Sequence, residues 1–505
     1  MELALATLLL LCIAGMLLAS AWQRRTQPGP LPPGPTPLPL LGNFLQLDRK
    51  NFLVSFQQMW ERYGPVFTVH LGPRRVVVLS VALAFDGSAA VPGEVCKRAG
   101  ASVCAQTASL STHLSFSTAR WPGVAFANGE RWRQLRRFCL STLRDFGMGK
   151  RGVEERIREE AQCLLEELQK TKGAPFDPTF NLSRAVSNVI CSIVFGSRFE
   201  YTDETFVTLN KLIYHRFRFA GLAPAQLYNS FPGLLEKLPG PHHAGSKYSR
   251  EIIRFITERI KMHQAVADLS MPQSFIDCFL VKMEQEKQNP ATEFFLENLV
   301  MATFNLFFAG TETVSTTLRY GFLILLKFEM QPSMAEKIHQ EIDAVVGRDR
   351  TPTTEDRGRM PYTDATLHEI QRFCDILPMS LPHTVIRDTW FRGYLLPKGT
   401  YVYPLLSTVH FDPEQHQAPD TFAPERFLDE NGCFRKHNAF MPFSAGKRVC
   451  LGESLARMEL FLFFTGVLQR FALRSPVAPQ QLSLVPGVNN FGKMPQPYQL
   501  CLHPR

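Results

Sequence analysis

The sequence predicts a mainly α-helical protein with a minor β portion, built as a single large domain behind an N-terminal membrane anchor. Helical patterns dominate residues 130–337, two short β-rich runs precede them, and no long polar linker divides the body. The 505 residues are 45% hydrophobic and 20% charged. That composition is typical of globular proteins and excludes wholesale disorder, collagen and coiled coil.

The N-terminus predicts a transmembrane anchor over residues 1–23. Residues 3–22 carry no charge, and this length can cross a bilayer. Arg24 and Arg25 follow at once, and positive charge stays cytosolic, so we expect the body on the cytosolic side. A cleaved signal peptide is the alternative, because residues 19–21 are small; the apolar run is longer than a usual signal core.

Residues 24–39 form a basic and proline-rich segment, and residues 40–505 form the folded body. Dense proline favours a stiff, extended spacer, so we expect a hinge that sets how the body stands off the membrane. The β-rich runs at residues 66–71 and 76–79 are separated by Gly-Pro-Arg-Arg, which predicts a hairpin.

Residues 298–326 carry only two charges, Glu312 and Arg319. A second membrane span is one interpretation. The uncharged stretch before Glu312 is too short to cross a bilayer, so a buried core helix is the better one. A buried acid beside Thr311 and Thr313 is costly unless it has partners or a task.

Charge and cysteine content exclude other classes of protein. The formal net charge of +9 suits anionic lipid or an acidic partner. It is too diffuse to indicate nucleic acid, since no basic tail or zinc-finger spacing occurs. The 11 cysteines show no regular framework, which favours reduced, cytosol-facing thiols and one functional cysteine.

The strongest chemical signal is the run FSAGKRVCLG at residues 443–452. Gly446 and Gly452 bracket Cys450, and a helical pattern starts immediately afterwards. A thiolate at a helix N-terminus is stabilised by the dipole and by free N–H groups. Glycines let the backbone approach something flat and bulky. These features suit a cysteine that ligates a metal; a buried structural cysteine is the alternative.

This run resembles the haem-binding loop FxxGxRxCxG of the cytochromes P-450. Three further motifs of that family follow its order: AGTET at residues 309–313, EIQR at 369–372 and PERF at 424–427. The resemblance covers nearly the whole chain and is nearest to the microsomal family 2 enzymes that oxidise drugs and other foreign compounds. It implies the cytochrome P-450 fold and a haem b cofactor (iron protoporphyrin IX).

The resemblance also implies roles for individual residues. Cys450 would be the thiolate ligand of the haem iron. The other cofactor-binding residues would be Phe443, Gly446, Arg448 and Gly452 of the loop, Trp132 and Arg136 of a WxxxR helix, and His383 of an LPH stretch. The cationic members would hold the two haem propionates.

Thr313 and Glu312 would be the catalytic residues, relaying protons above the haem. They could also be polar residues that mend a bend in a buried helix, and the two interpretations are compatible. Glu369, Arg372 and Arg426 would form a buried structural ion-pair triad that supports the haem loop, and loss of one partner would strand a buried charge.

The substrate pocket is expected to be apolar. By resemblance it would draw on Phe304, Phe307, Phe308, Ala309, Ile376, Leu377 and Leu381. Residues 209–227 should form a mobile lid with apolar residues that dip into the membrane. Most of these aromatic side chains could equally be plain core.

The implied reaction is an NADPH- and O₂-dependent monooxygenation, such as hydroxylation or epoxidation, of apolar small molecules: xenobiotics, fatty acids or steroids. The implied partners are a flavoprotein NADPH–cytochrome reductase, cytochrome b5 and membrane lipid, at the endoplasmic reticulum membrane with the catalytic domain in the cytosol. Arg133 and Arg137 could attract an acidic reductase, or could simply form a solvated face.

Residues 81–120 depart from the family pattern. Eighteen of these 40 residues are alanine, serine or threonine, and Arg98 is the arginine nearest to the position where relatives carry a propionate-binding one. A shifted reading frame or a mispredicted exon would explain this, and sequencing the transcript tests it. Val314 stands where many relatives have a hydroxyl residue. A haem-deficient, non-enzymatic membrane protein is therefore one alternative function, and a haem-thiolate peroxide isomerase is the other.

Overall fold

The computed structural model describes residues 29–48, 51–81, 105–106, 123–146, 151–266, 270–328, 333–489 and 491–505. The predicted anchor at residues 1–23 and most of the unusual segment at residues 81–120 lie outside these ranges. Of the helices within them, none is both long enough and apolar enough to cross a membrane.

Helices dominate the described part of the chain, and strands form a minor portion, as the sequence predicts. The helices are α1 Phe52–Tyr63, α2 Gly123–Phe126, α3 Gly129–Asp145, α4 Arg151–Gln169, α5 Thr179–Val194, α6 Glu204–Ala220, α7 Ala223–Ser230, α8 Pro232–Leu235, α9 Ala244–Val266, α10 Phe275–Gln285, α11 Leu296–Lys327, α12 Ser333–Val345, α13 Pro361–Cys374, α14 Ser407–His410 and α15 Glu453–Arg470. The strands are β1 Val66–Leu71, β2 Arg74–Ser80, β3 Ala105–Gln106, β4 His383–Thr384, β5 Thr389–Phe391, β6 Tyr394–Leu396, β7 Tyr401–Leu405, β8 Phe471–Arg474, β9 Val488–Asn489, β10 Lys493–Met494 and β11 Cys501–Pro504.

Helix α11 is the centre of the body. It runs for 32 residues and packs against α5, α9, α13 and α15. A helix that is apolar on nearly every side must be covered on every side, which explains this central position. The interpretation of residues 298–326 as a buried core helix is therefore confirmed.

The predicted hairpin is also confirmed. Strands β1 and β2 pair antiparallel, with Val66 opposite Leu79 and Leu71 opposite Arg74. Gly72 is the first residue of the two-residue turn between the strands. Its φ of +62° lies in the left-handed region, which favours glycine. The hairpin belongs to a five-stranded sheet of order β1-β2-β7-β4-β3, and α1 covers one end of it.

The described part of the predicted hinge is packed against the body. The Thr68 backbone N–H donates to Pro33 O at 2.7 Å, and the Leu395 N–H donates to Pro30 O at 3.0 Å. Gly34 lies so close to β1 that a Cβ atom there would come within 1.9 Å of Thr68 O. From Pro30 onward the segment is therefore docked on the β portion rather than standing free.

Candidate active site

Helix α11 has one open face in its middle. Between residues 298 and 326 every residue is buried except five, namely Leu306, Phe308, Ala309, Gly310 and Thr313. Leu306, Ala309, Gly310 and Thr313 recur at three- and four-residue spacing and therefore share a face. Because the surrounding residues of α11 are covered, this face borders a space inside the molecule.

Thr313 lies on the open face and Glu312 does not. The Thr313 hydroxyl donates to Ala309 O at 2.8 Å, and its oxygen can still accept a hydrogen bond. The Glu312 carboxyl is buried toward α5, where Ser183 donates to Oε1 at 3.4 Å. Burial raises the pKa of Glu312 to about 7, although Arg319 and the Ser183 hydroxyl both lower it.

The Cys450 loop is held by backbone hydrogen bonds of its own. The Cys450 N–H donates to Phe443 O at 3.0 Å, and α15 begins three residues later with Ala456 N–H bonded to Gly452 O. Gly446 adopts a φ of +75°, which admits glycine without strain. The chain therefore turns at Gly446, and the loop places the cysteine just before a helix N-terminus.

The Cys450 side chain opens onto an enclosed space. It has accessible surface, yet the surrounding protein dehydrates it, and this burial raises the pKa of the thiol. A hydrogen bond from the Gly452 backbone and the charge of Arg136 act in the opposite direction. A bound metal cation would deprotonate such a thiol outright.

Two arginines tie this loop to α3 and to the residues just before it. Arg136 donates from Nη2 to Val449 O at 2.7 Å, and Arg448 donates from Nη2 to Ala127 O at 2.7 Å. The Arg448 guanidinium also lies 4.2 Å from the centre of the Trp132 ring. The structure therefore brings Trp132, Arg136 and Arg448 together beside Cys450.

His383 joins this group from strand β4. Burial, and secondarily the charge of Arg448, lower the pKa of His383 to about 4, so the imidazole is neutral at pH 7. Among the described residues, none forms a hydrogen bond with its buried Nδ1. A buried polar atom of this kind requires a partner, and a carboxylate of a bound group would supply one.

The structure brings the three members of the predicted triad together. Arg372 donates to both Glu369 oxygens, from Nε at 2.7 Å and from Nη2 at 2.8 Å, and both side chains are fully buried. Arg426 donates from Nε to Glu369 Oε1 at 3.2 Å and bonds three backbone carbonyls. The triad thereby joins α13 to the 3₁₀ turn Pro424–Phe427.

The predicted pocket residues do not form one group. Phe308 stacks on Phe304 with ring centres 5.9 Å apart, and Leu377 packs into the same apolar cluster as Phe308. Phe307 is fully buried and contacts Phe195, the residue that follows α5. Ala309 lies on the open face, Ile376 borders the main core, and Leu381 packs with the core between α1 and the sheet.

Sequence reasoning did not single out several residues of this apolar cluster. Its other members are Phe217 of α6, Val488 of β9 and Met494 of β10, with Tyr214 beside them. The predicted lid at residues 209–227 includes Phe217, but periodicity alone cannot tell which lid residues face inward. The described part of the lid is helical, split between α6 and α7.

Gly123 permits close contact between α2 and α11. Its φ is +61°, and a Cβ atom there would lie 2.4 Å from Asn305 Oδ1 and 2.8 Å from Met301 O. Asn305 Oδ1 also accepts from the Ala125 N–H at 3.0 Å. Helix α2 leads into α3, so this contact fixes the approach of the Trp132 helix to α11.

We expect Gly123→Ala to destabilise the protein by about 1–3 kcal/mol more than Gly129→Ala. Gly129 adopts nearly the same φ, +60°, but has open space around it, so the control carries the backbone strain without the clash. Denaturant unfolding of both variants measures the difference. Equal destabilisation would show that the contact of α2 with α11 is loose.

The residues present fit a haem. Cys450 would supply a thiolate for iron, Arg136 and Arg448 would supply cationic groups, and His383 would offer a buried ring nitrogen. This set of groups defines the class of haem-thiolate monooxygenases.

Comparison with known proteins supports the same class. A family model described as cytochrome P450 matches residues 32–502. Cytochrome P450 2G1 of Oryctolagus cuniculus is 53% identical over 495 residues, covering 98% of this chain and 97% of the relative. Cytochrome P450 2B2 of Rattus norvegicus is 51% identical over 498 residues, 99% of each chain. Cytochrome P450 2A10 of Oryctolagus cuniculus is 50% identical over 501 residues, 98% of each chain.

The chain therefore belongs to the cytochrome P450 family, and its relatives are family 2 members. It is a haem-thiolate monooxygenase.

Proposed function

We propose that this protein inserts one oxygen atom from O₂ into apolar small molecules, using electrons from NADPH, with Cys450 as the ligand of the haem iron. The observation that carries the proposal is the Cys450 thiol, which opens onto an enclosed space at the start of α15 while Arg136 and Arg448 fasten its loop. When bound, haem supplies the iron chemistry that activates O₂.

The residues of the chain have separate tasks in this proposal. Cys450 donates its thiolate, and the Gly452 N–H and Arg136 stabilise the negative charge. Trp132, Arg136, His383 and Arg448 hold the propionates. Gly446 and Gly452 allow the loop to approach the haem closely. The Arg457 guanidinium carbon lies 5.0 Å from the centre of the Phe443 ring. Thr313 offers its hydroxyl oxygen on the open face, and Glu312 holds a proton one residue earlier.

An absorption spectrum of the reduced protein with carbon monoxide tests the proposal. We expect the strongly red-shifted Soret band of a thiolate–iron–CO complex, followed by NADPH-dependent oxidation when a reductase is added. Turnover without NADPH would favour the peroxide isomerase. Failure to retain haem would favour the non-enzymatic alternative.

The substrate class is proposed from the cluster around Phe308. The side chains of Phe304, Phe308, Phe217 and Leu377 form an apolar wall, which favours apolar substrates such as xenobiotics, fatty acids or steroids. The test compares the affinities of an apolar ligand series and a matched charged series. Binding is measured by the change that each ligand causes in the haem absorption spectrum. Equal affinity of matched charged and apolar ligands would contradict it.

The electron donor is proposed to dock near α3. Arg137 is exposed there, and Arg133 is exposed while paired with Glu130 at 2.6 Å. An exposed basic surface attracts an acidic partner, and salt screens that attraction. We expect haem reduction by the reductase to slow with ionic strength; a salt-independent rate would contradict docking here. Cytochrome b5 would compete for the same surface.

The membrane location is proposed from exposed leucines near the start of the described chain. Leu40 and Leu45 are 67% and 59% exposed, and Leu234 of α8 is 64% exposed. Contact between Phe44 and Phe231, with ring centres 6.0 Å apart, joins the two regions into one apolar surface. Such a surface suits membrane lipid of the endoplasmic reticulum. Digestion of the catalytic domain by protease added outside intact microsomes tests the cytosolic orientation; protection would contradict it.

We expect proton delivery to depend on pH through Glu312. Since the pKa of Glu312 is about 7, its protonated fraction falls as pH rises through 7, and the yield of product per NADPH consumed should fall with it. Glu312→Gln should lower product formation on the order of 10²-fold and remove this dependence. Because product is divided by the NADPH consumed, an effect of pH on the rate of the reductase does not change this yield. A pH profile that survives the substitution would exclude Glu312 as the group that titrates.

A further inference from the structure

Behind the Cys450 loop lies a buried polar cluster that the proposed chemistry does not use. Asp375, at the end of α13, receives hydrogen bonds from Lys493 Nζ at 2.9 Å and from the Ser407 hydroxyl. His410 Nδ1 lies 2.9 Å from the other Asp375 oxygen. All four residues are buried.

The hydrogen bonds determine the state of His410. Asp375 can only accept, so Nδ1 of His410 carries the proton. The Met441 backbone N–H donates to Nε2 at 3.2 Å, so Nε2 carries none. His410 is therefore neutral. Its ring joins the Asp375 carboxylate to the backbone of the segment that contains Met441.

That segment leads directly to Cys450. The backbone of Met441 is fixed on both sides of its Cα atom, since its N–H donates to His410 Nε2 and its carbonyl accepts from the Ser444 N–H at 3.0 Å. Two residues later, Phe443 O accepts from the Cys450 N–H at 3.0 Å. Arg372 of the triad adds a hydrogen bond from Nη1 to His410 O at 2.7 Å.

The other end of the cluster lies against the proposed pocket. The Lys493 N–H donates to Ile376 O at 2.8 Å, and Gly492 packs against Phe217. Met494, the next residue in β10, belongs to the apolar cluster with Phe217, Phe308 and Leu377. One set of buried contacts therefore runs from the pocket wall to the loop that presents Cys450.

We infer that Lys493, Asp375 and His410 are positioning residues that hold the Cys450 loop from the substrate side. Lys493 neutralises Asp375, which leaves His410 neutral and able to accept from Met441. Without the lysine, the buried carboxylate would pair with a protonated His410, and a protonated Nε2 cannot accept a hydrogen bond. The inference rests on the proposed ligation of haem iron by Cys450.

Lys493→Met in the full-length haem protein tests this. The readout is the ratio of thiolate to protonated-thiol carbon monoxide complexes, given by their two Soret bands. We expect the ratio to fall about three- to tenfold, as expected for the loss of one hydrogen bond. His410→Phe, which removes the acceptor directly, should lower it at least as much.

A matched control and a double variant separate this role from general stability. Lys327 also donates from its ammonium group to backbone carbonyls, those of Gln480 and Leu482, but at the C-terminal end of α11. Lys327→Met should lower stability and leave the ratio unchanged. Asp375→Asn/Lys493→Met removes both charges and should restore the ratio toward that of the parent protein.

The outcomes discriminate between the two proposals. A parent protein without a thiolate band would refute the proposed ligand itself. A parent protein with that band, together with Lys493→Met and His410→Phe variants that keep its ratio, would overturn the positioning role. A double variant as impaired as Lys493→Met would overturn the explanation by charge balance.

Discussion

Replacing Cys450 with serine should abolish the red-shifted carbon monoxide band and reduce NADPH-supported turnover to background. The serine hydroxyl does not ionise near neutral pH and is a far weaker electron donor to iron than a thiolate. The backbone bonds of the loop, Cys450 N–H to Phe443 O among them, do not involve the side chain. We therefore expect the variant to fold and to lose its chemistry.

Cys433→Ser is the matched control for this experiment. Cys433 is exposed, as Cys450 is, but it ends a turn in which Asp429 accepts from the backbone N–H of Cys433 rather than from its thiol. Replacing that thiol should leave both the spectrum and the turnover unchanged. A Cys450→Ser protein that kept the thiolate band would assign the iron ligand to another cysteine.

Much of the fold could be predicted from the sequence because the signals are local. Residues 298–326, with only two charges, predicted the core of α11, and the hairpin followed from two β-rich runs around Gly72. The helix after Cys450 was likewise visible in its local pattern, and Gly446 occupies a left-handed conformation that favours glycine.

The directions in which the side chains point were harder to predict from the sequence. Adjacent residues of a helix point about 100° apart, so Phe307 and Phe308 face different neighbours although both are aromatic. Which side of α11 faces which neighbour depends on packing against α5 and α6. The sequence of α11 alone does not specify this. The same reasoning applies to Glu312, whose carboxyl faces α5 while the neighbouring Thr313 lies on the open face.

The buried cluster behind the loop could not be predicted for a different reason. Asp375 and Lys493 are 118 positions apart, and Met441 is 31 positions from His410. No periodic pattern connects such residues. In the sequence, Asp375 and Lys493 could each be an ordinary surface charge. The docking of the proline-rich segment on β1 is similar, because Thr68, more than 30 positions away from the segment's Pro32 and Pro33, donates to their carbonyls.

Removing the charge of Arg372 should have the largest effect on stability. Arg372→Met keeps much of the side-chain volume but leaves the Glu369 carboxylate fully buried, with Arg426 as its remaining ionic partner. Breaking a buried ion pair in this way costs roughly 3–5 kcal/mol. Since a domain is stable by about 5–15 kcal/mol, we expect poor haem retention and a markedly lower unfolding midpoint.

The comparison with Arg426→Met shows whether burial is the cause. The Arg426 side chain is 10% exposed, and the Arg372–Glu369 pair remains intact when Arg426 is replaced, so the loss should be smaller. Glu369→Gln/Arg372→Met removes both buried charges and should recover part of the stability, because no charge is stranded between the two positions. Haem retained per protein chain and denaturant unfolding measure both effects. If Arg372→Met unfolds no more easily than Arg426→Met, the Glu369–Arg372 pair does not hold α13 against the segment that supports the Cys450 loop.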